Sequence, residues 1–220
     1  MDQELIHVYF MPGMAANSSI FEYIKLPEDV FKAHFLEWEI PEINETISHY
    51  AKRMGRKVKH KNPVLIGVSF GGILVQEMSK HIPVKKLIII SSVKDRHELP
   101  WRMKLAKLTK AYKLIPEKLK VDLEKLAKYA FGKVATKRVE LYKKYLSVND
   151  PQYFNWAIKQ VVLWKQEKPI PNTVHIHGEK DGIFPCRYLS NFIKVKGGTH
   201  IMIINKHKWF NENLPKLILT

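Results

Sequence analysis

A serine set between two glycines constrains this chain more than any other feature. The stretch Gly67-Val68-Ser69-Phe70-Gly71 lies between an apolar run, 63–66, and an amphipathic run, 73–78. Glycine at positions 67 and 71 leaves no Cβ to crowd a sharp turn from a strand into a helix. Such a turn exposes the serine at its apex, as a nucleophile elbow requires. The Gly-x-Ser-x-Gly pattern alone is weak, and its strand–turn–helix context makes it informative.

Two later loops carry the partners that a serine nucleophile needs. A serine hydroxyl requires an adjacent base, and that base requires a carboxylate to orient it. Residues 175–185 predict a buried strand and a turn that presents Asp181, with Pro185 fixing the loop. Residues 196–200 follow another apolar strand and present His200 after a glycine pair. The chain order Ser69, Asp181, His200 is that of a nucleophile-elbow enzyme.

Strands and helices alternate along most of the chain. The pattern predicts strands at 5–10, 34–38, 63–66, 86–90, 174–177 and 192–195, and helices at 19–24, 45–54, 71–81 and 209–219. This alternation implies a mostly parallel sheet covered on both faces.

Residues 95–168 interrupt the alternation and read as helices only. Helical periodicity covers 101–115 and 119–130, Gly132 is positioned to end the second helix, and Asp150-Pro151 predicts a third at 154–164. We interpret 95–168 as a helical cap inserted into a core formed by 1–94 and 169–220. Aromatic side chains that either pack this cap or face a substrate cleft are Trp101, Tyr112, Tyr129, Phe131, Tyr153, Phe154, Trp156 and Trp164.

The segments GVSFGG, HGEKDGIFP and GGTHIMI resemble the motifs of α/β-hydrolases with a helical cap. The resemblance implies a three-layer αβα sandwich around a mostly parallel sheet of about six strands, a minimal form without the family's two leading strands. It implies Ser69 as the nucleophile, His200 as the general base and Asp181 as its orienting acid. Asp95, which follows the strand after the elbow helix, is the alternative acid.

The oxyanion formed by acyl transfer needs hydrogen-bond donors. One candidate is the backbone N–H of Phe70, at the positive end of the elbow helix. The resemblance places the second donor in the loop after the first strand, which makes the N–H of Met14 the candidate. This loop reads Met11-Pro12-Gly13-Met14, where many relatives carry His-Gly, and the Pro-Gly version resembles editing-type thioesterases. A purely structural turn is the alternative.

Three other groups have alternative chemical interpretations. His175 and His177 share a strand face and could bind a metal, but no third ligand stands at a telling spacing, so strand packing is the preferred interpretation. Cys186 is better explained as a small apolar filler than as a nucleophile. Met11, Met14 and Met202 either line an apolar pocket or belong to the core. The predicted chemistry requires no metal and no organic cofactor.

The chain is strongly basic, with 37 Lys and Arg against 21 Asp and Glu. Residues 96–168 hold 18 basic and 7 acidic residues, a local net charge of +11. An acidic partner or a membrane surface would suit this charge, and a solvated lysine-rich face explains it equally well. We expect no nucleic-acid partner, because no recognised binding motif accompanies the charge. An acidic start, a single cysteine and no long apolar run predict a cytoplasmic protein without a transmembrane segment.

The sequence therefore predicts a serine hydrolase that cleaves a small carboxylic ester or thioester through an acyl-enzyme. A slow or non-catalytic ligand-binding or signalling protein on the same fold is one alternative. A carrier-dependent thioesterase, with the basic cap docking an acidic carrier, is another. Amidase, lyase and C–C hydrolase chemistry share the same three residues and stay open.

Overall fold

A computed structural model of the chain describes residues 4–110, 112, 144, 145, 148 and 150–220. Its six strands, all parallel, lie in the order β2-β1-β3-β4-β5-β6. This confirms the parallel sheet predicted from the alternation. The strands are β1 (Ile6–Met11), β2 (Phe31–Phe35), β3 (Val64–Val68), β4 (Lys86–Ile90), β5 (Val174–Gly178) and β6 (Ile193–Val195).

The strand order reverses between β1 and β3. The chain runs outward from β1 to β2 and then crosses back to place β3 on the other side of β1, with Met11 beside Gly67. Ligands of open α/β sheets bind in the crevice outside the carboxyl ends of the strands at such a switch point. The loop after β1 and Ser69 after β3 both emerge there.

Helices cover both faces of the sheet. One face packs side chains such as Tyr9, Leu65 and Ile89 against the helices before and after β3, and the other packs Val8, Ile66 and Ile88 against the C-terminal helices. This alternation along each strand produces the predicted three layers. In order along the described residues, the helices are α1 (Ile47–Gly55), α2 (Phe70–Met78), α3 (Trp101–Thr109), α4 (Pro151–Val162), α5 (Met202–Asn205) and α6 (His207–Leu219).

Several predicted elements differ from those observed. The helix predicted at 101–115 ends at Thr109, where Lys110 takes a left-handed backbone with φ 57°. The second strand lies at Phe31–Phe35 and not at 34–38, because the buried Leu36 and Trp38 pack as loop residues beyond the end of this edge strand. The helix predicted at 19–24 is a short 3-10 turn, Ser18–Phe21, capped by the Asn17 side chain.

Part of the predicted cap is described. A 3-10 turn, Arg96–Glu98, precedes α3, and α4 begins at Pro151 as predicted, with the Asp150 carboxylate accepting from the Tyr153 N–H at 2.8 Å. The helix predicted at 119–130, its end at Gly132, and Ile115, Tyr129, Phe131 and Asn149 lie outside the described residues. The division of the chain into core and cap therefore stays a prediction.

Candidate active site

Ser69 occupies the sharp turn between β3 and α2. Its backbone has φ 54° and ψ −120°, a strained combination for a residue with a side chain. Hydrogen bonds hold this geometry: the Ser69 N–H donates to the Ile90 carbonyl at 2.9 Å, and the Ser92 hydroxyl donates to the Ser69 carbonyl at 2.7 Å. The end of β4 and the turn after it therefore hold both the N–H and the carbonyl of Ser69.

Close backbone contacts explain the glycines around Ser69. A Cβ on Gly67 would lie 2.3 Å from the Gly71 carbonyl oxygen, and a Cβ on Gly71 would lie 2.3 Å from the Pro12 carbonyl oxygen. Both distances are far below van der Waals contact and the opposing atoms are backbone, so neither position has room for a side chain. The loop after β1 and the elbow are thus packed directly against each other.

His200 joins Ser69 to Asp181. Its Nε2 lies 2.9 Å from the Ser69 hydroxyl oxygen, and its Nδ1 lies 2.9 Å from Asp181 Oδ2. With the proton on Nδ1, the imidazole donates to Asp181 and leaves Nε2 to accept the Ser69 proton. The Asp181 side chain is fully buried, that of His200 is 12% exposed and Ser69 is half-buried, so solvent reaches the serine end of this chain of contacts.

The Asp181 carboxylate is ionised and held in place. Burial alone would raise its pKa, but the charge and hydrogen bond of His200, together with His177, bring that pKa below its ordinary value. Oδ1 accepts from the N–H groups of Ile183 and Phe184 at 2.8 and 3.0 Å, and Oδ2 faces His200. Oδ1 therefore holds the loop that follows Asp181, and Oδ2 holds the His200 imidazole.

Two further histidines, His175 and His177, lie behind Asp181. His177 Nε2 donates to the Phe184 carbonyl at 2.8 Å, and His175 Nε2 lies 3.2 Å from His177 Nδ1. Burial lowers the pKa of both imidazoles, that of His175 to about 2. His175 and His177 thus contact each other on one strand face and stay neutral near pH 7, as strand packing predicts.

The loop after β1 lies beside the serine. A Cβ built on Gly13 would be 3.5 Å from the Ser69 Cβ, and the Gly13 carbonyl accepts from the Trp38 indole N–H at 2.8 Å. Within the described residues, the N–H groups of Phe70 and Met14 donate to no protein acceptor. Phe70 is the first residue of α2, where a backbone N–H has no carbonyl partner inside the helix.

A tyrosine from α4 also supports this loop, and the sequence did not single it out for that role. The Tyr153 hydroxyl accepts from the Ala15 N–H at 3.2 Å, and Ala15 has φ 61°, in the left-handed region. Tyr153 is fully buried against Trp38, whose ring stacks on Phe70 with centroids 5.0 Å apart. The aromatic richness of 153–164 indicated buried cap residues, but no sequence signal indicated the contact of Tyr153 with Ala15.

Of the other predicted cap aromatics, Phe154, Trp156 and Trp164 are buried with Tyr153 against the core. Trp101 is 60% exposed on α3, and no residue of this helix is buried. The apolar spacing therefore predicted the helix, but its apolar residues do not form a buried face. Arg102 on the same helix donates to the carbonyls of Gly182 and Ile183, at 3.0 Å each. The predicted cap segment therefore touches the loop that carries Asp181.

The remaining candidates lie apart from the serine or serve the fold. The Asp95 carboxylate caps the turn that follows it by accepting from the N–H groups of His97 and Glu98, and it has no contact with His200 among those described. Burial raises the pKa of the Cys186 thiol, whose sulfur lies 3.4 Å from the Gly178 carbonyl. Met11 and Met202 are buried in the core.

Two cavities among the described residues lie apart from the serine. One, of about 230 Å³, is lined by residues such as Leu99, Lys107 and Trp164. The other, of about 410 Å³, lies beside β2 and is lined by Tyr9, His34 and His60 among others. In the described part of the chain, no helix is both long and apolar enough to cross a bilayer.

The fold is the α/β-hydrolase fold, as the resemblance implied. An esterase from Exiguobacterium antarcticum matches with a TM-score of 0.71 at 17% identity, over 100% of this chain and 94% of that chain. A hydrolase from Pseudomonas aeruginosa PA01 matches with a TM-score of 0.73 at 12% identity, over 98% and 91%. A bromoperoxidase from Bacillus anthracis matches with a TM-score of 0.68 at 14% identity, over 99% and 93%. No protein-family model and no curated protein matches the sequence.

Proposed function

We propose that this protein is a serine hydrolase that cleaves a small carboxylic ester or thioester through an acyl-enzyme. The observation that carries the proposal is the pair of 2.9 Å contacts that links the Ser69 hydroxyl, the His200 imidazole and the buried Asp181 carboxylate. The esterases among the similar structures support the same reaction class.

In the proposed reaction, Ser69 Oγ attacks the carbonyl carbon of the substrate while His200 Nε2 takes the hydroxyl proton. Asp181 keeps the imidazole in the required tautomer and stabilises its positive charge. The collapse of the tetrahedral intermediate transfers that proton to the leaving alcohol or thiol. Water, deprotonated by His200, then attacks the acyl-enzyme and releases the acid and free Ser69.

The backbone N–H groups of Phe70 and Met14 serve as donors to the oxyanion in this proposal. Phe70 N–H lies at the start of α2, where the helix dipole favours negative charge. Met14 follows Gly13, which approaches Ser69 closely enough to place this loop at the reacting carbonyl. Two fixed donors of this kind stabilise the transition state more than the substrate.

The predicted cap, 95–168, supplies the substrate-facing wall in this proposal, and its basic residues are the proposed contact for any acidic partner. Support comes from α4, which carries Tyr153 to the loop after β1, and from α3, which contacts the Asp181 loop through Arg102. Turnover that does not change with salt would argue against a role of this charge in substrate delivery.

The test is the intact mass of the protein after treatment with a fluorophosphonate, together with hydrolysis of short and medium nitrophenyl esters and thioesters. We expect a single adduct and turnover in the wild type, and neither in Ser69→Ala. Ser79→Ala, at the far end of α2, is the matched control and should behave like the wild type. Folded wild-type protein with no adduct and no turnover would overturn the proposal and favour a ligand-binding role.

A further inference from the structure

Three histidines from separate segments converge beside β1 and the edge strand β2, away from Ser69. His7 lies on β1, His34 lies on the edge strand β2, and His60 lies in the loop between α1 and β3. One ring nitrogen of each falls within 4.8 Å of the other two. His7 precedes Met11 by four residues on β1, so about 13 Å of strand separates His7 from the loop at Ser69.

The imidazoles contact one another without any carboxylate between them. His7 Nδ1 lies 2.9 Å from His34 Nε2, and the His7 and His60 rings stack with centroids 3.4 Å apart and 8° between their planes. Burial, followed by repulsion from His60, lowers the pKa of both His7 and His34. Neutral imidazole is the form that binds a metal ion.

We propose that His7, His34 and His60 bind one Zn²⁺ ion, with water in the fourth position. Zinc in proteins is tetrahedral with Zn–N distances of about 2.0–2.1 Å, which places ligand nitrogens roughly 3.4 Å apart. The His7 and His34 nitrogens lie 2.9 Å apart and all three ligand nitrogens lie within 4.8 Å of one another. Binding one ion requires the His7 and His60 rings to turn out of their stack, so that the lone pairs of their nitrogens converge. Three nitrogen ligands without a thiolate or carboxylate suit Zn²⁺ and its neighbours and not Mg²⁺ or Ca²⁺.

Tyr9 orients one of the three ligands. Its hydroxyl lies 2.7 Å from His60 Nδ1 and accepts from the Lys59 N–H at 3.0 Å. When Nδ1–H of His60 donates to this hydroxyl, Nε2 is left as the metal ligand, which is the usual role of a polar group behind a zinc-bound histidine. The Tyr9 ring also stacks on His34, with centroids 4.5 Å apart.

Charged side chains around the three histidines both favour and oppose a bound cation. Glu4 raises the pKa of His7 and so favours a cation at the cluster, whereas Lys32 lowers the pKa of His7 and His34 and opposes it. Lys57 lines the adjacent cavity but forms an ion pair with Glu39. The bound ion would tie the edge strand β2 to β1 and to the loop before β3, and would stabilise the fold by mass action.

The test is calorimetric titration of untagged, chelator-treated protein with ZnCl2, with Co²⁺ absorption as a report on coordination. We expect one Zn²⁺ per wild-type chain, a rise in Tm on binding, and intense visible bands from four-coordinate Co²⁺. His34→Gln and His60→Gln should each lower the affinity at least about tenfold and remove most of the rise in Tm. His60 lies in a loop, so His60→Gln keeps the test valid if His34→Gln fails to fold.

His49→Gln is the matched control, because Glu42, Glu45 and His49 form the other group of three possible ligands found in the described residues. This variant should bind Zn²⁺ like the wild type. No binding by the wild type, equal affinity in all variants, or a loss confined to His49→Gln would overturn the proposal. So would binding of inorganic phosphate in place of Zn²⁺ by the His7, His34 and His60 cluster.

Discussion

Two regions of the sheet carry groups of histidines, and their neighbours give them different chemistry. At the carboxyl end, His200 lies between a buried carboxylate and a hydroxyl, each 2.9 Å away. Beside β1 and the edge strand β2, His7, His34 and His60 face one another, with no carboxylate in the cluster. An imidazole next to a carboxylate is arranged to gain and lose a proton, whereas the three imidazoles that face one another are the ligands of the proposed Zn²⁺ site.

Removing the carboxylate at the carboxyl end gives the largest expected effect. Asp181→Asn loses the acceptor that fixes the His200 tautomer, and we expect kcat for nitrophenyl ester hydrolysis to fall about 10⁴-fold. Steady-state kinetics on both proteins measures this. Asp95→Asn is the control, since asparagine caps a helical turn as well as aspartate does, and its kcat should stay near that of the wild type. A large loss in Asp95→Asn with a small one in Asp181→Asn would make Asp95 the orienting acid.

Two loops at the carboxyl end, the elbow and the loop that carries Asp181, differ in how tightly their backbones are packed. Gly71→Ala places a methyl group 2.3 Å from the Pro12 carbonyl oxygen, whereas a Cβ on Gly182 meets nothing within 4 Å. We expect Gly71→Ala to lower the free energy of unfolding by about 3 kcal/mol and to abolish turnover. Gly182→Ala, in the loop that carries Asp181, should change neither property. Urea denaturation and ester hydrolysis of both variants make the comparison, and equal stability would show that the elbow tolerates a side chain.

The buried pair His175 and His177 is a third group of histidines, and it predicts how stability depends on pH. The folded pKa of His175 is about 2, below its ordinary 6.5, so the unfolded chain binds more protons between these values. Stability is therefore present above pH 6.5 and is lost as the pH falls below it. From pH 7 to pH 5, we expect His175 to lower the free energy of unfolding by about 2 kcal/mol, at 1.36 kcal/mol per pKa unit.

Urea denaturation at pH 7 and pH 5 measures this loss. His175→Gln keeps an N–H donor for His177 and removes the titrating ring, so its stability should depend less on pH than that of the wild type. His97→Gln, on the exposed turn before α3, should follow the wild-type curve. Parallel curves for the wild type and His175→Gln would show that burial of His175 does not set the acid sensitivity.

The same contrast explains what the sequence could predict. Ser69, Asp181 and His200 each lie in a local pattern of apolar strand and glycine- or proline-marked loop, so each was found separately. Parallel strands then bring their carboxyl ends to one edge, which makes their convergence predictable as well. The sheet followed from alternation for the same reason: its strands are short apolar runs between helices.

Long-range packing decided what sequence reasoning missed. His7, His34 and His60 are separated by 27 and 26 positions, and no motif marks them, because only the pairing of β1 with β2 brings the first two together. Edge pairing likewise shifted β2 to Phe31–Phe35, since Leu36 and Trp38 are buried in the loop beyond it. The contact of Tyr153 with the loop after β1 spans 138 positions and has no local signature.

That contact gives the smallest expected effect and tests how far support for the carboxyl end extends. Tyr153→Phe leaves the Ala15 N–H buried without an acceptor, which costs about 1–3 kcal/mol of stability. Ala15 follows Met14, a proposed oxyanion donor, so we expect kcat to fall about 3- to 10-fold with KM nearly unchanged.

Tyr50→Phe separates a catalytic effect of the Tyr153 hydroxyl from a general loss of stability. Tyr50 belongs to the same aromatic cluster, but its hydroxyl bonds to the Glu39 backbone, away from Ser69. Urea denaturation should show a similar loss of stability in both variants, and steady-state kinetics should show lower kcat in Tyr153→Phe alone. Equal kcat in the two variants would mean that the loop at Met14 is held by its own turn and by Trp38. The proposed oxyanion site would then depend on the core alone and not on α4.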